Sequence, residues 1–92
     1  MSHVASDKPR LLARVRRIRG QVEALERAID GEAACADVLH QIAGVRGAIQ
    51  GLLREVMEGH IREHVAGRPG VSEAERERGA EELIDVLRRY FK

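Results

Sequence analysis

The stretch "LLARVRRIRGQVEALERAI", residues 11–29, places Leu11, Val15, Ile18, Val22, Leu25 and Ile29 at alternating steps of four and three. That spacing is the signature of an α-helix with one continuous apolar seam, and no strand reproduces it. Ser6 or Asp7 can cap its start, Pro9 fits within its first turn, and Asp30 with Gly31 ends it. Val38, Ile42, Val45, Ile49, Leu52 and Val56 repeat the spacing, and no proline intervenes before Pro69. A second helix is therefore predicted from near Glu32 to about Val65. Gly44, Gly47 and Gly51 weaken it by roughly 1 kcal/mol each relative to alanine, so tertiary packing must hold it. They also share a face on which a neighbouring backbone can come close. "AGRPG" reads as a loop, and "SEAE", from Ser72 to Glu75, is a capping box that opens a third helix. Its apolar side carries Leu83, Ile84, Leu87, Tyr90 and Phe91. The expected fold class is all-α, a three-helix protomer in one domain spanning residues 1–92.

Such a chain has little with which to fill a core. Its 92 residues are 43% apolar, and Tyr90 and Phe91 are its aromatics, so an oligomer is the expected stable unit. Formal charge nearly cancels to +1, and any affinity for nucleic acid must come from how charge is distributed. No apolar run approaches the roughly 18 residues of a membrane span, and nothing resembles a signal peptide. A cytoplasmic chain without membrane partners is expected. The single cysteine, Cys35, excludes an intrachain disulfide.

Chemistry concentrates in "EVMEGHIREHVAG", residues 55–67, where His60 and His64 stand four apart. On a helix this spacing stacks two imidazoles one turn apart, close enough to share one ion. Cys35 falls at nearly the same azimuth, with Ile42, Ile49 and Leu53 on the stripe between. Twenty-five residues of helix separate Cys35 from His60, roughly 37 Å at about 1.5 Å per residue. One coordination sphere cannot span that distance. A second copy of the helix running antiparallel would set Cys35 of one protomer opposite His60 and His64 of its partner, giving a dimer with two symmetry-related sites. His3 is a candidate fourth ligand, and removal of Met1 would expose the Ser2 amine beside it. The alternative is a cysteine that only packs and two solvated histidines near a helix end. His40 lies away from this set and reads as a surface or packing residue.

A second constellation is electrostatic. "KPRLLARVRRIR", residues 8–19, holds six basic residues and no acid. Arg10, Arg14 and Arg17 project from one narrow face opposite much of the apolar seam, with Arg16 beside them. An unmixed arginine ridge suits the phosphates of double-stranded DNA. A merely solvated face normally mixes signs, as residues 73–89 do. With no helix-turn-helix and no interleaved aromatics, such a ridge would read phosphate position and duplex shape at least as much as base edges. Arg46 has an azimuth near the cysteine and histidine stripe. An enzyme is not expected, because one thiol without an acid poised beside a nucleophile offers no catalytic set.

"RVRRIRGQVEALERAI", Cys35 within "ACADVLHQIAGVRGAIQGLLREV", and "HIREH" together resemble the CsoR/RcnR family of bacterial metal- and aldehyde-responsive repressors, over essentially the whole chain. The resemblance implies an antiparallel helical-bundle dimer, a disc-like homotetramer built as a dimer of dimers, and operator DNA bound without inducer and released with it. It is strongest to the nickel- and cobalt-sensing branch, which uses an N-terminal histidine, the helix-two cysteine and two histidines four apart. Here these are His3, Cys35, His60 and His64, with the Ser2 amine as a further donor. The copper branch has a cysteine where this chain has His64, and persulfide sensors use two cysteines. Formaldehyde sensors keep the cysteine but typically have proline where this chain has Ser2; a response through Cys35 and the N-terminal amine is the alternative. One thiolate with imidazoles suits Ni(II) or Co(II) as inducer, and Zn(II) if the N-terminus stays out of the site.

Overall fold

The computed structural model describes residues 3–67 and 69–91, apart from the side chain of His3. Among them the chain forms α1 (His3–Ser6), α2 (Lys8–Asp30), α3 (Cys35–His60), a π-helical turn (Ile61–Val65) and α4 (Glu73–Tyr90), with no strand. The short α1 is additional to the three helices expected. Pro9, in the first turn of α2, has no N–H with which to continue a ladder from α1. Asp7 occupies the N-cap position of α2 without a side-chain capping bond. Its carboxylate lies 3.5 Å from the Arg10 guanidinium instead.

The end of α2 explains why the next helix starts later than its spacing suggests. Gly31 keeps an ordinary φ of −84°, and its N–H reaches the Arg27 carbonyl. The left-handed residue is Glu32, with φ of 57°. Its conformation sends the Ala33 N–H back to the Ala28 carbonyl at 2.9 Å, the long bond of a Schellman-type stop. Glu32 therefore cannot open α3. The Ala34 carbonyl takes that role, accepting from Asp37 at 3.0 Å and Val38 at 3.1 Å, and Cys35 becomes the first helical residue.

Residues 7–53 form one compact unit, a helical hairpin. Gln21 and Ala24 of α2 line a cleft of about 260 Å³ with Gln41, Gly44 and Val45 of α3, while Arg14 lies against Gly51. Earlier residues of α2 thus meet later residues of α3, and the two run antiparallel. The apolar seam divides between two stripes. Leu11, Ile18 and Leu25 are buried or half-buried, as are Val38, Val45 and Leu52. Val15, Val22 and Ile29 remain 45%, 45% and 58% exposed, and Ile42 and Ile49 45% and 49%. One helix partner covers only one side of a seam this wide. No backbone closes on the α3 glycines: a Cβ at Gly44 or Gly47 would meet nothing within 4 Å, and at Gly51 only the Arg14 guanidinium.

The second unit comprises residues 1–6 and 54–92. In it the end of α3 passes into the π-helical turn, whose wider winding is visible in the Ala66 N–H bonded to the Ile61 carbonyl at 2.7 Å. The predicted end near Val65 is thus reached with altered geometry. Gly67 and Gly70 take φ of 80° and 92°, values that favour glycine, and reverse the chain. Ser72 then caps α4, its hydroxyl accepting from the Glu75 N–H at 3.2 Å. Glu73 and Glu75 in the first turn, and Arg88 and Arg89 in the last, complement the helix dipole. No described helix is long and apolar enough to cross a membrane.

Candidate functional site

His60 is the last residue of α3, and His64 lies within the π-helical turn that follows. The widened turn still keeps them neighbours, with ring centroids 4.8 Å apart and planes inclined at 50°. Both are half-buried. His60 Nε2 lies 2.8 Å from the Gly79 carbonyl oxygen of α4. A carbonyl can only accept, so Nε2 carries the proton in this bond.

Gly79 also decides how closely α4 approaches. It is buried, and a Cβ built on it would fall 2.6 Å from both the carbonyl carbon and the Cβ of His64. Real side chains do not pack at that distance, so only glycine permits this docking. The expectations above did not include Gly79. Its signal was a lone glycine within "EAERERGAEELIDVLRRY", where it costs roughly 1 kcal/mol of helix propensity and so calls for a packing reason. The same helix and turn bound a cleft of about 580 Å³, lined among others by Glu63, His64, Glu75, Arg78 and Glu82.

Of the four expected ligands, the structure brings His60 and His64 together. Cys35 is an exposed free thiol at the first position of α3, the opposite end of the helix that His60 closes. Among the described residues, no three His, Cys, Asp or Glu side chains of one chain gather in a way that could hold a metal ion. The His3 side chain and the Ser2 amine lie outside the described residues. His40 is exposed on α3, as expected of a surface residue.

The arginine ridge is less uniform than its azimuths suggest. Arg10, Arg16 and Arg17 are exposed, whereas Arg14 is half-buried. Its guanidinium atoms lie 3.5 to 3.9 Å from where a Cβ on Gly51 would stand, so it leans across the hairpin rather than straight outward. A glycine at position 51 leaves room for that lean.

A family model described as metal-sensitive transcriptional repressor matches residues 7–89. An uncharacterized protein in the bioA 5′ region of Serratia marcescens is 53% identical over 92 residues, the full length of both chains. The transcriptional repressor RcnR of Salmonella paratyphi B is 46% identical, again over all of both chains. Among solved structures, a glutamate-to-histidine variant of the formaldehyde-responsive regulator FrmR from Salmonella enterica serovar Typhimurium is similar at a TM-score of 0.85. It is 45% identical, and the match covers 97% of this chain and 99% of that one.

Proposed function

Because the chain belongs to the CsoR/RcnR family of metal-sensitive transcriptional repressors, which are not enzymes, we propose that it binds operator DNA without metal and releases it on binding Ni(II) or Co(II), derepressing metal efflux. The observation that carries this reading is the His60–His64 pair, two imidazoles 4.8 Å apart. A third strong donor, Cys35, opens the helix that His60 closes, so a complete site draws Cys35 from one protomer and the histidines from another.

The donor chemistry fits the ion. A thiolate and imidazoles are borderline-soft ligands suited to Ni(II), Co(II) or Zn(II), with His3 and the Ser2 amine available to raise the coordination number. When bound, the metal would supply charge and directed bonds, joining donors that the described residues of one chain do not gather in threes. The half-covered apolar seam supports the same assembly. Val15, Val22 and Ile29 of α2 and Ile42 and Ile49 of α3 stay exposed, apolar surface that a second hairpin would cover, and two such dimers would make a homotetramer.

On the DNA side, Arg10, Arg14, Arg16 and Arg17 supply phosphate contacts, so operator affinity falls steeply with salt. Metal and DNA then compete through linkage: a coupling of about 1–3 kcal/mol between the two sites lowers operator affinity about 5- to 150-fold.

A second reading is an aldehyde sensor, favoured by the exposed Cys35 thiol and by the likeness to FrmR. Formaldehyde would join the thiol to an amine as an S–CH2–N bridge with loss of one water. A gel-shift titration of operator DNA with Ni(II), Co(II), Zn(II) and formaldehyde separates the two. Release by nickel or cobalt, lost in His64→Ala, is expected; release by formaldehyde alone, retained in His64→Ala, would replace the metal sensor with the aldehyde sensor.

A further inference from the structure

Two stretches of the hairpin carry no acid, residues 8–22 of α2 and 38–53 of α3. The fold sets one beside the other. Arg14 lies against Gly51, and Gln21 and Ala24 share a cleft with Gln41 and Gly44. Arg10, Arg14, Arg17 and Gln21 follow steps of four, three and four on α2, and His40, Gly44, Gly47 and Gly51 do the same on α3. Each set therefore shares one face of its helix, and the two faces meet along one edge of the hairpin. Ile42 and Ile49 lie roughly 140–160° round α3 from Gly47 at 3.6 residues per turn, so this edge is separate from the exposed apolar side chains. A Cβ at Gly44 or Gly47 would meet nothing within 4 Å. At the far end of the edge, the Oε1 atoms of Gln21 and Gln41 are buried without a hydrogen-bond partner. We propose that this edge is a two-helix trough for the sugar-phosphate chain of duplex DNA, with the α2 arginines as its wall, Gly44, Gly47 and Gly51 as its floor, and the two glutamines at its end. The trough rests on the DNA-binding reading and extends the contact from one helix to two.

Charge and space select the same occupant. A second protein helix laid here would strip water from Arg10 and Arg17 without offering a counter-charge, which is costly. A phosphodiester brings that charge with it. Three glycines weaken α3 by helix propensity, and no neighbouring backbone uses the room they leave. Each missing Cβ lowers the helix surface by about one carbon–carbon bond, roughly 1.5 Å, so a phosphate on the floor comes within reach of a side chain that leans across the hairpin. Arg14 leans that way, towards Gly51, and its planar fork suits two phosphate oxygens. A carboxamide that turns about its last bond offers an N–H2 donor in place of its oxygen, which gives Gln21 and Gln41 the partner they lack. The glycines thus trade helix stability for close approach, and the two effects have opposite signs on substitution.

That opposition is the test. Metal-free full-length protein is titrated into a fluorescein-labelled mixed-sequence duplex of about 30 base pairs at about 50 mM salt, where phosphate contacts supply the affinity. Gly47→Leu should raise the thermal midpoint, because leucine is the better helix former and enters open space. The same variant should bind the duplex about tenfold more weakly, and Gly47→Glu about 100-fold, since the glutamate adds charge repulsion to bulk. Both should sediment as wild type does. A loss of less than about threefold in either folded variant overturns the trough. Weakened binding with a changed sedimenting mass assigns the edge to contact between copies of the chain and overturns it as well. Wild-type protein that binds no duplex sinks the DNA-binding reading itself, whereas wild-type binding with both variants unaffected leaves that reading standing on α2 alone.

Discussion

The hairpin of residues 7–53 and the unit that holds the histidines achieve their packing by opposite means. In the hairpin, contact is spread along a repeating seam: glycines at 44 and 47 face open space, no single residue dictates the approach, and half of the apolar stripe stays uncovered. In the other unit one position, Gly79, sets how closely α4 meets the π-helical turn and where the His60 ring points. A repeating seam is additive and here leaves apolar side chains exposed. A point contact is all-or-none and produces geometry inside one chain. The proposed sensor needs both, because its site combines a pair built within a protomer with a thiol reached across an interface.

The largest expected effect breaks the seam. Val22→Asp places a charge in the stripe left exposed on α2, and burying an unpaired charge costs several kcal/mol. The protein should sediment as a monomer and lose operator binding by at least about 100-fold, at 1.4 kcal/mol per tenfold. An unchanged sedimenting mass would show that this stripe is not the interface. Next comes the division of the site between chains. Mixing Cys35→Ala protein with a His60→Ala, His64→Ala double variant should restore about a quarter of the sites, because each mixed dimer rebuilds one of its two. The readout is the thiolate-to-Co(II) charge-transfer band; no recovery after confirmed subunit exchange would place all ligands in one chain.

A smaller effect tests the arginines. Arg17→Ala should weaken operator binding and flatten its salt dependence by about 0.9 in slope, the value for one lost phosphate contact. Arg14→Ala should flatten it equally and also lower stability, since Arg14 packs over Gly51. An unchanged slope with lowered stability would assign Arg14 to the hairpin alone. The smallest effect concerns the turn. Glu32 holds a left-handed backbone, which costs a non-glycine residue roughly 1 kcal/mol. Glu32→Gly should therefore stabilise the chain by about 0.5 kcal/mol in urea denaturation, once glycine's greater unfolded freedom is set against that strain. No gain would mean that the strain is relieved elsewhere.

Much of the fold was legible because helix formation is local. The four-three spacing marked both long helices, Ser72 and Glu75 marked the start of α4 through a capping bond three residues long, and Pro9 marked the first turn of α2. Boundaries failed where a competing local bond was invisible in the spacing. Glu32 rather than Gly31 took the left-handed turn, which moved the start of α3 to Cys35.

The site was legible in its residues and not in its geometry. Periodicity alone determined that His60 and His64 are neighbours, since positions four apart on one element meet whatever surrounds them. It also determined that Cys35 stands at the other end of the same helix, because a helix has a fixed rise. Only tertiary structure decided that the last turn widens to a π form, that Arg14 leans over Gly51, and that α4 offers a carbonyl to His60 Nε2. The last two depend on atoms 37 and 19 residues apart in the chain, brought together by packing that no spacing rule within a single helix encodes. Gly79 is the sharpest case: in the sequence it is a helix-weakening residue, and in the fold its missing side chain is what lets two backbones touch.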